Sequence, residues 1–346
     1  MRTATNYQKR KRFTRNDVAK GAQILDVLNT LGVSKYSIAR VREDIGPDLF
    51  DYAITNNMNA VLLKPFSEPM FQEWKQVVSI SDDSDLQQQI GIRVSGFGDV
   101  LEPFTGSFKD TDLPEEEQTE YQIDGFGEIF GIDFETATND KLKALLFKTE
   151  DLGKKYAKGF QKWMFQDLLQ ADPTYTPDSK VLFHTDHNND LHPGSPVSAN
   201  PLNFDNLKSA WMKLSGQTQQ DGTPVDLNTF YIVCGSENVL EAEAIQEAQG
   251  NPDSANSDPN TLKKRIKGII YHKYLGSDWY IVAPKEISNN MHVGFLQSVG
   301  QVPRLVKQAE TSDEHFRTLK TNWRVDYWYG GTWLDFRGVV RGSQNV

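Results

Sequence analysis

Histidine and aspartate are most concentrated in one short segment of the chain, Val181-Leu-Phe-His-Thr-Asp-His187. His184, Asp186 and His187 carry imidazole and carboxylate groups, which are common metal ligands, and His192 follows nearby. A helical zinc hydrolase needs two histidines four residues apart with a glutamate beside the first, and this spacing is shorter. Neighbouring strand residues also point to opposite faces, so the imidazoles need not converge. The segment favours a structural loop, and a metal-dependent hydrolase that uses His184, Asp186 and His187 is the alternative.

Other catalytic signatures are absent from the sequence. It contains no Gly-x-Ser-x-Gly, no phosphate-binding Gly-Lys-Ser/Thr loop and no dinucleotide fingerprint, and Gly96-Phe-Gly98 lacks the third glycine. Cys234 is the single cysteine, lies in the apolar run Phe230-Tyr-Ile-Val-Cys234, and is predicted to be a buried small hydrophobe. We therefore expect no enzyme activity, no cofactor and no metal, and a reducing cytoplasm suits the chain.

A long amphipathic helix is predicted immediately before the histidine segment. Thr138, Asn139 and Asp140 can cap its first amides, and Pro173 follows its last apolar residue. Its apolar residues recur at three- and four-residue intervals, as Leu142, Leu145, Leu146, Leu152, Tyr156, Phe160, Trp163, Met164 and Leu168. A helix of about 30 residues spans roughly 45 Å, which suggests a spine, although an ordinary long core helix also fits.

The overall composition describes a folded chain, whose charges are unevenly distributed. The chain has 346 residues and a net charge of -10, which argues against a general nucleic-acid binder. No window approaches a membrane span. Residues 2–20 nevertheless form a basic arm that includes Lys9, Arg10, Lys11 and Arg12. Such arms are solvated tails or contacts for an acidic partner, with direct DNA contact as a third interpretation.

An acidic insert follows the basic arm in the sequence. Residues 99–128 contain ten acids, and the flanking residues Ile90, Ile92 and Val94 and then Tyr121 and Ile123 alternate as in the strands of an extended hairpin. Either the insert is a flexible surface loop, or it is an arm that contacts a neighbouring subunit. For the second case the predicted contact residues are Lys9, Arg10, Lys11, Arg12, Phe104, Phe108, Lys109, Glu115, Glu116 and Glu117.

The region after the long helix alternates short strands and helices. Helices are predicted over 204–214 and 236–249, the second with Ser236 as its cap, and strands over 229–234, 268–274 and 279–283. From residue 292 onwards the pattern is strand-like, and a turn is predicted at Gly330-Gly331. These late strands are expected to pack on the long helix.

Several landmarks in this order resemble the major head subunits of Mu-like tailed phages. They are Phe126-Gly-Glu128 before the helix, Phe183, His184 and His187 after it, Trp279-Tyr-Ile-Val-Ala-Pro284, and Asp326, Trp333, Asp335, Phe336, Arg337 and Gly338. The resemblance implies an α+β tailed-phage major capsid fold. Its parts would be an N-terminal arm (1–60), an extended hairpin loop (90–130), a peripheral domain with the spine helix (131–179 and 290–346) and an axial α/β domain (180–289).

The function that the resemblance implies is self-assembly. Hexamers and pentamers would tile an icosahedral head around double-stranded DNA without sequence-specific binding, in a virion assembled in the host cytoplasm. Scaffolding, portal or decoration proteins would be further partners, and no membrane is involved. Besides the hydrolase, another phage structural protein, such as a decoration or tail component, is an alternative.

Overall fold

The computed structural model describes residues 47–94, 116–133, 142–191, 200–219, 222–250, 259–308 and 320–342. The helices in these ranges are α1 (Pro47–Leu63), α2 (Leu142–Lys162), α3 (Phe204–Ser215) and α4 (Val239–Glu247). The strands are β1 (Val78–Asp83), β2 (Gln89–Val94), β3 (Glu116–Tyr121), β4 (Asp124–Asp133), β5 (Thr174–Tyr175), β6 (Lys180–Val181), β7 (Phe230–Cys234), β8 (Ile266–Tyr271), β9 (Trp279–Val282), β10 (Met291–Leu296), β11 (Arg304–Lys307), β12 (Lys320–Trp333) and β13 (Val339–Gly342).

The chain divides into two compact units. The first consists of the described residues within 1–66, 127–155 and 303–326, and the second of the described residues within 67–126, 156–302 and 327–346. Strand β12 and helix α2 each contribute residues to both units. None of the helices in the described ranges combines the length and the apolar character needed to span a lipid bilayer.

The predicted long helix is confirmed, but its last two turns are wider than predicted. Helix α2 continues without a break into a π-helix over Trp163–Gln170. The amide of Ala171 donates to the carbonyl of Gln166, five residues earlier, at 2.8 Å. The predicted caps Thr138, Asn139 and Asp140 lie outside the described residues.

The late strands pack on this helix in the second unit, as predicted. Strand β10 pairs with β1 in parallel and with residues 329–333 of β12 in antiparallel orientation. Phe160 of α2 is the centre of an aromatic cluster with Trp74, Trp163, Phe295, Tyr327 and Tyr329, at centroid distances of 4.9 to 5.9 Å. Each fully buried ring of this type contributes about 1.5–3 kcal/mol of stabilisation.

The predicted turn at Gly330-Gly331 is wrong, because β12 passes through both glycines without interruption. A Cβ atom at Gly330 would overlap the carbonyl oxygen of Gln122, and one at Gly331 would crowd the carbonyl oxygen of His292. The two glycines therefore permit close approach of neighbouring backbone within the sheet. A Gly-Gly pair in the sequence is compatible both with this role and with a turn, so the sequence alone does not distinguish them.

The first unit combines helix α1 with strand pairing at the start of β12. Strand β11 pairs antiparallel with residues 323–326 of β12. Helix α1 ends two residues before Pro65, and its Met58 and Leu62 are fully buried. Gly153 of α2 allows the carbonyl of Leu62 to approach so closely that a Cβ atom would overlap it.

The described residues between 200 and 289 form an α/β lobe within the second unit, completed by β13. Its sheet has the order β13-β9-β7-β8, in which only the β7–β8 pair is parallel. Helices α3 and α4 share one apolar core with this sheet, and Cys234 is buried there, as predicted. Helix α4 begins at Val239, so Ser236 is not its cap. Asn238 takes that position, because its carbonyl accepts the first helical hydrogen bond, from the amide of Ala242 at 2.9 Å.

Candidate functional site at the base of the hairpin

The base of the predicted hairpin is present and has two distinct faces. Strands β2 and β3 pair antiparallel, with Gly91 opposite Thr119 and Arg93 opposite Glu117. Because strand residues alternate, these four point to one face, and Ile90, Ile92, Gln118 and Glu120 point to the other. Gly91 lies so close to Leu334 that a Cβ atom would overlap its side chain. The first face is therefore packed on the body of the second unit.

The inner face is held by a buried ion network whose members are far apart in sequence. Arg93 Nε binds Asp335 Oδ2 at 2.7 Å, and Arg93 Nη1 binds Glu117 Oε2 at 3.0 Å. Its remaining Nη2 donates to Gln219 Oε1 at 2.5 Å. The guanidinium thus joins the two hairpin strands to each other through Glu117 and to the rest of the second unit through Asp335 and Gln219.

Arg337 completes this network from the opposite side. Its Nη1 donates to Asp335 Oδ1 at 3.0 Å and lies 3.5 Å from Glu117 Oε2, and its Nε donates to the carbonyl of Thr218 at 2.8 Å. Two arginines and two carboxylates make the network neutral. We refer to Arg93, Glu117, Asp335 and Arg337 as the anchor network.

Burial dominates the electrostatics of the anchor network. Asp335 is only 2% exposed, and this desolvation raises the pKa of its carboxyl group, although Arg93 and Arg337 act in the opposite direction. The Tyr175 hydroxyl lies 3.1 Å from Glu117 Oε2, and burial, followed by the charges of Asp335 and Glu117, raises the pKa of this tyrosine. Each charge therefore depends on its partners, since burial removes most of the water around these side chains.

A second polar cluster fixes the end of β3. Tyr121 donates from its hydroxyl to Asp83 Oδ2 at 2.7 Å, and His292 lies between Ser79, 2.9 Å from its Nδ1, and Ser81, 3.0 Å from its Nε2. Burial lowers the pKa of His292, and the charge of Asp83 partly opposes this shift. The hairpin base is therefore attached to the body at both Glu117 and Tyr121.

The histidine segment forms a closed loop. His187 Nδ1 donates to the carbonyl of Leu182 at 2.8 Å, and its Nε2 binds Asp178 Oδ2 at 2.6 Å. The His187 ring stacks on Phe336 with a centroid distance of 3.9 Å. His184 Nδ1 accepts from the amide of Asp186 at 3.1 Å. Both nitrogens of His187 are occupied within the loop.

The carboxylates of this loop are also paired within it. Asp186 forms an ion pair with Lys180. Burial tends to raise the pKa of Asp178, but the hydrogen bonds from His187 and from the Lys180 amide outweigh it and lower that pKa. Among the described residues, no group of three or more histidine, cysteine, aspartate or glutamate side chains is arranged to hold a metal ion. His192 lies outside the described residues.

A sequence model of the phage capsid protein family matches residues 116–342, about two thirds of the chain. The chain belongs to this family. It is a major capsid protein that forms the phage head, and thus a structural component of the virion, so the hydrolase alternative is not supported. No curated protein sequence matches this capsid protein significantly.

Solved capsid structures share the fold of this capsid protein at low sequence identity. The capsid of Ralstonia phage GP4 is 12% identical, with a TM-score of 0.54 over 80% of this chain and 88% of that one. The capsid of cyanophage P-SCSP1u is 11% identical, with a TM-score of 0.51 over 78% and 87%. The capsid of a native GTA particle is 9% identical, with a TM-score of 0.50 over 80% and 91%. The predicted tailed-phage capsid fold is confirmed.

Most of the predicted contact residues fall outside the described ranges. These are Lys9, Arg10, Lys11, Arg12, Phe104, Phe108, Lys109 and Glu115. Glu116 pairs with Val94 through its backbone, and only Glu117 has a described side chain, which lies in the anchor network. The role of Arg93 was not predicted, because its partner Asp335 is 242 positions away and no local pattern connects the two.

Proposed function

We propose that this capsid protein assembles into hexamers and pentamers, and that its hairpin lies over an adjacent subunit. The resulting icosahedral head would enclose double-stranded DNA without reading its sequence, and would form in the host cytoplasm with scaffolding, portal or decoration proteins as further partners. The role is structural rather than enzymatic. Within the family we place the chain near the Mu-like head subunits, on the landmarks that run from Phe126 to Gly338.

The two-faced hairpin base is the observation that carries this proposal. Its inner face is fixed by the anchor network, whereas its outer face exposes Ile90 and Ile92 by 56% and 53%. Two adjacent exposed isoleucines on a well-attached ribbon are typical of a surface that a partner covers. A second copy of the chain is the partner that a shell supplies.

The proposed contact surface extends from these isoleucines to the tip of the hairpin. We propose that Phe104, Phe108, Lys109, Glu115 and Glu116 contact the neighbouring subunit. The basic residues Lys9, Arg10, Lys11 and Arg12 would supply complementary charge to an acidic hairpin. Glu117 anchors the hairpin in its own subunit. We propose the same parts as above: arm, hairpin, peripheral domain and axial domain, with the boundaries given there.

Deletion and surface substitution test the hairpin separately. Removal of residues 100–112, which spares β3 and Glu117, and the double change Ile90→Glu with Ile92→Glu should each leave the subunit folded by circular dichroism but abolish heads in electron micrographs. Met70→Glu is the matched control, since Met70 is exposed to a similar extent, 59%, away from the hairpin. Normal heads from the Ile90/Ile92 variant would contradict the proposed contact.

A charge-neutral arm tests the second half of the contact. Changing Lys9, Arg10, Lys11 and Arg12 to Gln should weaken assembly at low salt as much as added salt weakens it in the native protein, since exposed charges are screened over about 8 Å at physiological salt. Sound shells that package DNA poorly would instead make the arm a DNA contact.

A further inference from the structure

Helix α4 has an exposed face that nothing in the described part of the chain covers. Leu240, Glu243, Ala244 and Glu247 follow one another at three- and four-residue intervals and therefore share one stripe. All four are exposed, and Leu240, at 75%, is the most exposed large apolar residue of the described ranges. We call this stripe the acidic face.

The orientation of α4 is fixed by its opposite side, which is buried in the core of the lobe, so the acidic face remains at the surface. Ala242 and Ile245 are fully buried in the core of the lobe, and the Asn238 side chain donates to the carbonyl of Ser277 at 2.6 Å. Within the described residues, neither Glu243 nor Glu247 forms an ion pair. The acidic face thus presents an apolar centre flanked by two free carboxylates.

The same lobe carries a cationic face that is also without carboxylate partners. Lys264 and Lys267 are exposed near the start of β8, and Lys208 is exposed on α3. Arg265 lies with its guanidinium carbon 4.0 Å from the ring centre of Trp211, which holds the charge in a defined position. None of these cations forms an ion pair with a described carboxylate.

The two faces are carried by different elements of the lobe, the acidic face by α4 and the cationic face by α3, β8 and the residues just before β8. Lys263 marks their border, since its Nζ donates to the backbone carbonyl of Glu247 at 2.7 Å, and from there the cationic residues continue onto β8 and towards α3. Met212, 59% exposed on α3 one turn from Lys208, gives the cationic face an apolar residue too. Each face therefore combines charged groups with one exposed apolar side chain. The charges of the two faces are opposite in sign, so each face can supply the partners that the other lacks.

We propose that the acidic face of one subunit binds the cationic face of the next copy around a ring. Unlike charges on two different faces of one molecule favour a head-to-tail contact, and such a contact closes into a ring when the rotation allows it. Leu240 is the apolar anchor of this contact and Lys264 and Lys267 pair with Glu243 and Glu247. This inference rests on the proposed assembly into hexamers and pentamers, and specifies a contact distinct from the hairpin.

A charge swap tests the pairing. Three variants are needed: Glu243→Lys with Glu247→Lys, Lys264→Glu with Lys267→Glu, and all four changes together. Each double variant places like charges opposite one another and should weaken ring formation by roughly tenfold or more, measured by analytical ultracentrifugation at low salt. The fourfold variant restores opposite charges and should form rings with nearly native affinity.

A control separates this contact from the effects of net charge and from failure of the proposed function. The double variant Asp226→Lys with Glu286→Lys reverses the sign of the charge at two exposed positions elsewhere in the lobe, and it should leave ring formation unchanged. Rings from all variants, or no recovery in a folded fourfold variant, would overturn the proposed contact while the native protein still assembles. Absence of rings or heads from the native protein would instead refute the proposed assembly.

Discussion

The hairpin base and the α/β lobe are held in place by different forces. The lobe is built on an apolar core in which Phe230, Ile232 and Leu207 are fully buried. The hairpin base instead packs on two buried charged residues, Asp335 and Arg337. Arg93 of β2 and Glu117 of β3 point towards them. Apolar burial is not directional, whereas a network of four charges fixes one geometry. The comparison suggests that the lobe is built for stability and the hairpin base for precise placement.

Removing one charge from the anchor network should have the largest effect. Asp335→Ala leaves Arg93 and Arg337 buried without their shared carboxylate, and we expect a loss of about 3–5 kcal/mol in the free energy of unfolding. Urea denaturation of the dissociated subunit measures this loss. Replacement of the whole network by apolar residues, Arg93→Met, Glu117→Leu, Asp335→Leu and Arg337→Met, should cost much less. A similar cost for both variants would mean that the loss in Asp335→Ala does not come from the unpaired charges of Arg93 and Arg337.

A cavity in the lobe should have a comparable or slightly smaller effect. Leu207 is fully buried against the lobe sheet, and Leu207→Ala should reduce the free energy of unfolding by about 2–5 kcal/mol. Because the described hydrogen bonds between the anchor network and the lobe are confined to Thr218 and Gln219, the rate at which a protease cuts residues 95–115 should remain close to native in this variant at temperatures where it is folded. Faster cleavage there would show that lobe and hairpin are not independent.

Strand β12 offers a test at Gly330. A methyl group there would overlap the carbonyl oxygen of Gln122, next to the hairpin base, and Gly330→Ala should cost about 1–3 kcal/mol through overpacking. Gly300→Ala, at a glycine with positive φ and open space around its Cβ position, is the control for backbone strain alone. If Gly330→Ala left the thermal unfolding temperature unchanged, the close approach to Gln122 would not be the reason why glycine occupies this position.

The histidine loop predicts a small pH effect. The pKa of Asp178 is lowered below its ordinary value of 3.8, so its pairing with His187 stabilises the fold above that pH and is lost as the pH falls through the lowered value. Because Asp178 is partly exposed, we expect less than about 1 kcal/mol. Asp178→Asn should lower the free energy of unfolding by up to this amount at pH 7 and should flatten the stability profile below pH 4. An unchanged acid limb would show that the pair contributes nothing.

The smallest expected effect is the labelling of Cys234 in the folded subunit. It measures whether the core of the lobe opens to solvent. Burial raises the pKa of Cys234 to about 12, and Glu243 adds to this shift. The thiol should therefore not react with a thiol-specific dye at pH 8 in the native subunit, and should react fully in urea. Labelling of the folded subunit would mean that the lobe opens locally.

The lobe could be predicted from its sequence because its information is local. Phe230-Tyr-Ile-Val-Cys234 is a continuous apolar run, and the spacing of Phe204, Leu207 and Leu214 identifies one helical face. The hairpin strands were predicted for the same reason, from the alternation around Ile90 and Ile92. Where a local signal has two physical meanings, as at Gly330-Gly331 and Ser236, the prediction failed.

The anchor network could not be predicted from the same patterns. Arg93, Glu117 and Asp335 each resemble ordinary surface charges in sequence, and only the fold brings them together. Asp335 and Arg337 were recognised as landmarks of a resemblance, but their partner on β2 was not. Charge pairing over such separations carries no periodic signal, so the residues that place the hairpin had to come from the structure.

Strand β13 has a consequence for synthesis. It forms one edge of the lobe sheet, although the rest of that sheet ends with β9 at Val282. At roughly 5–20 residues per second, the ribosome needs several seconds to produce the intervening chain, and during this time the lobe lacks an edge strand. A nascent chain therefore cannot complete the lobe early. The sheet of the lobe is therefore complete only after translation has passed residue 342.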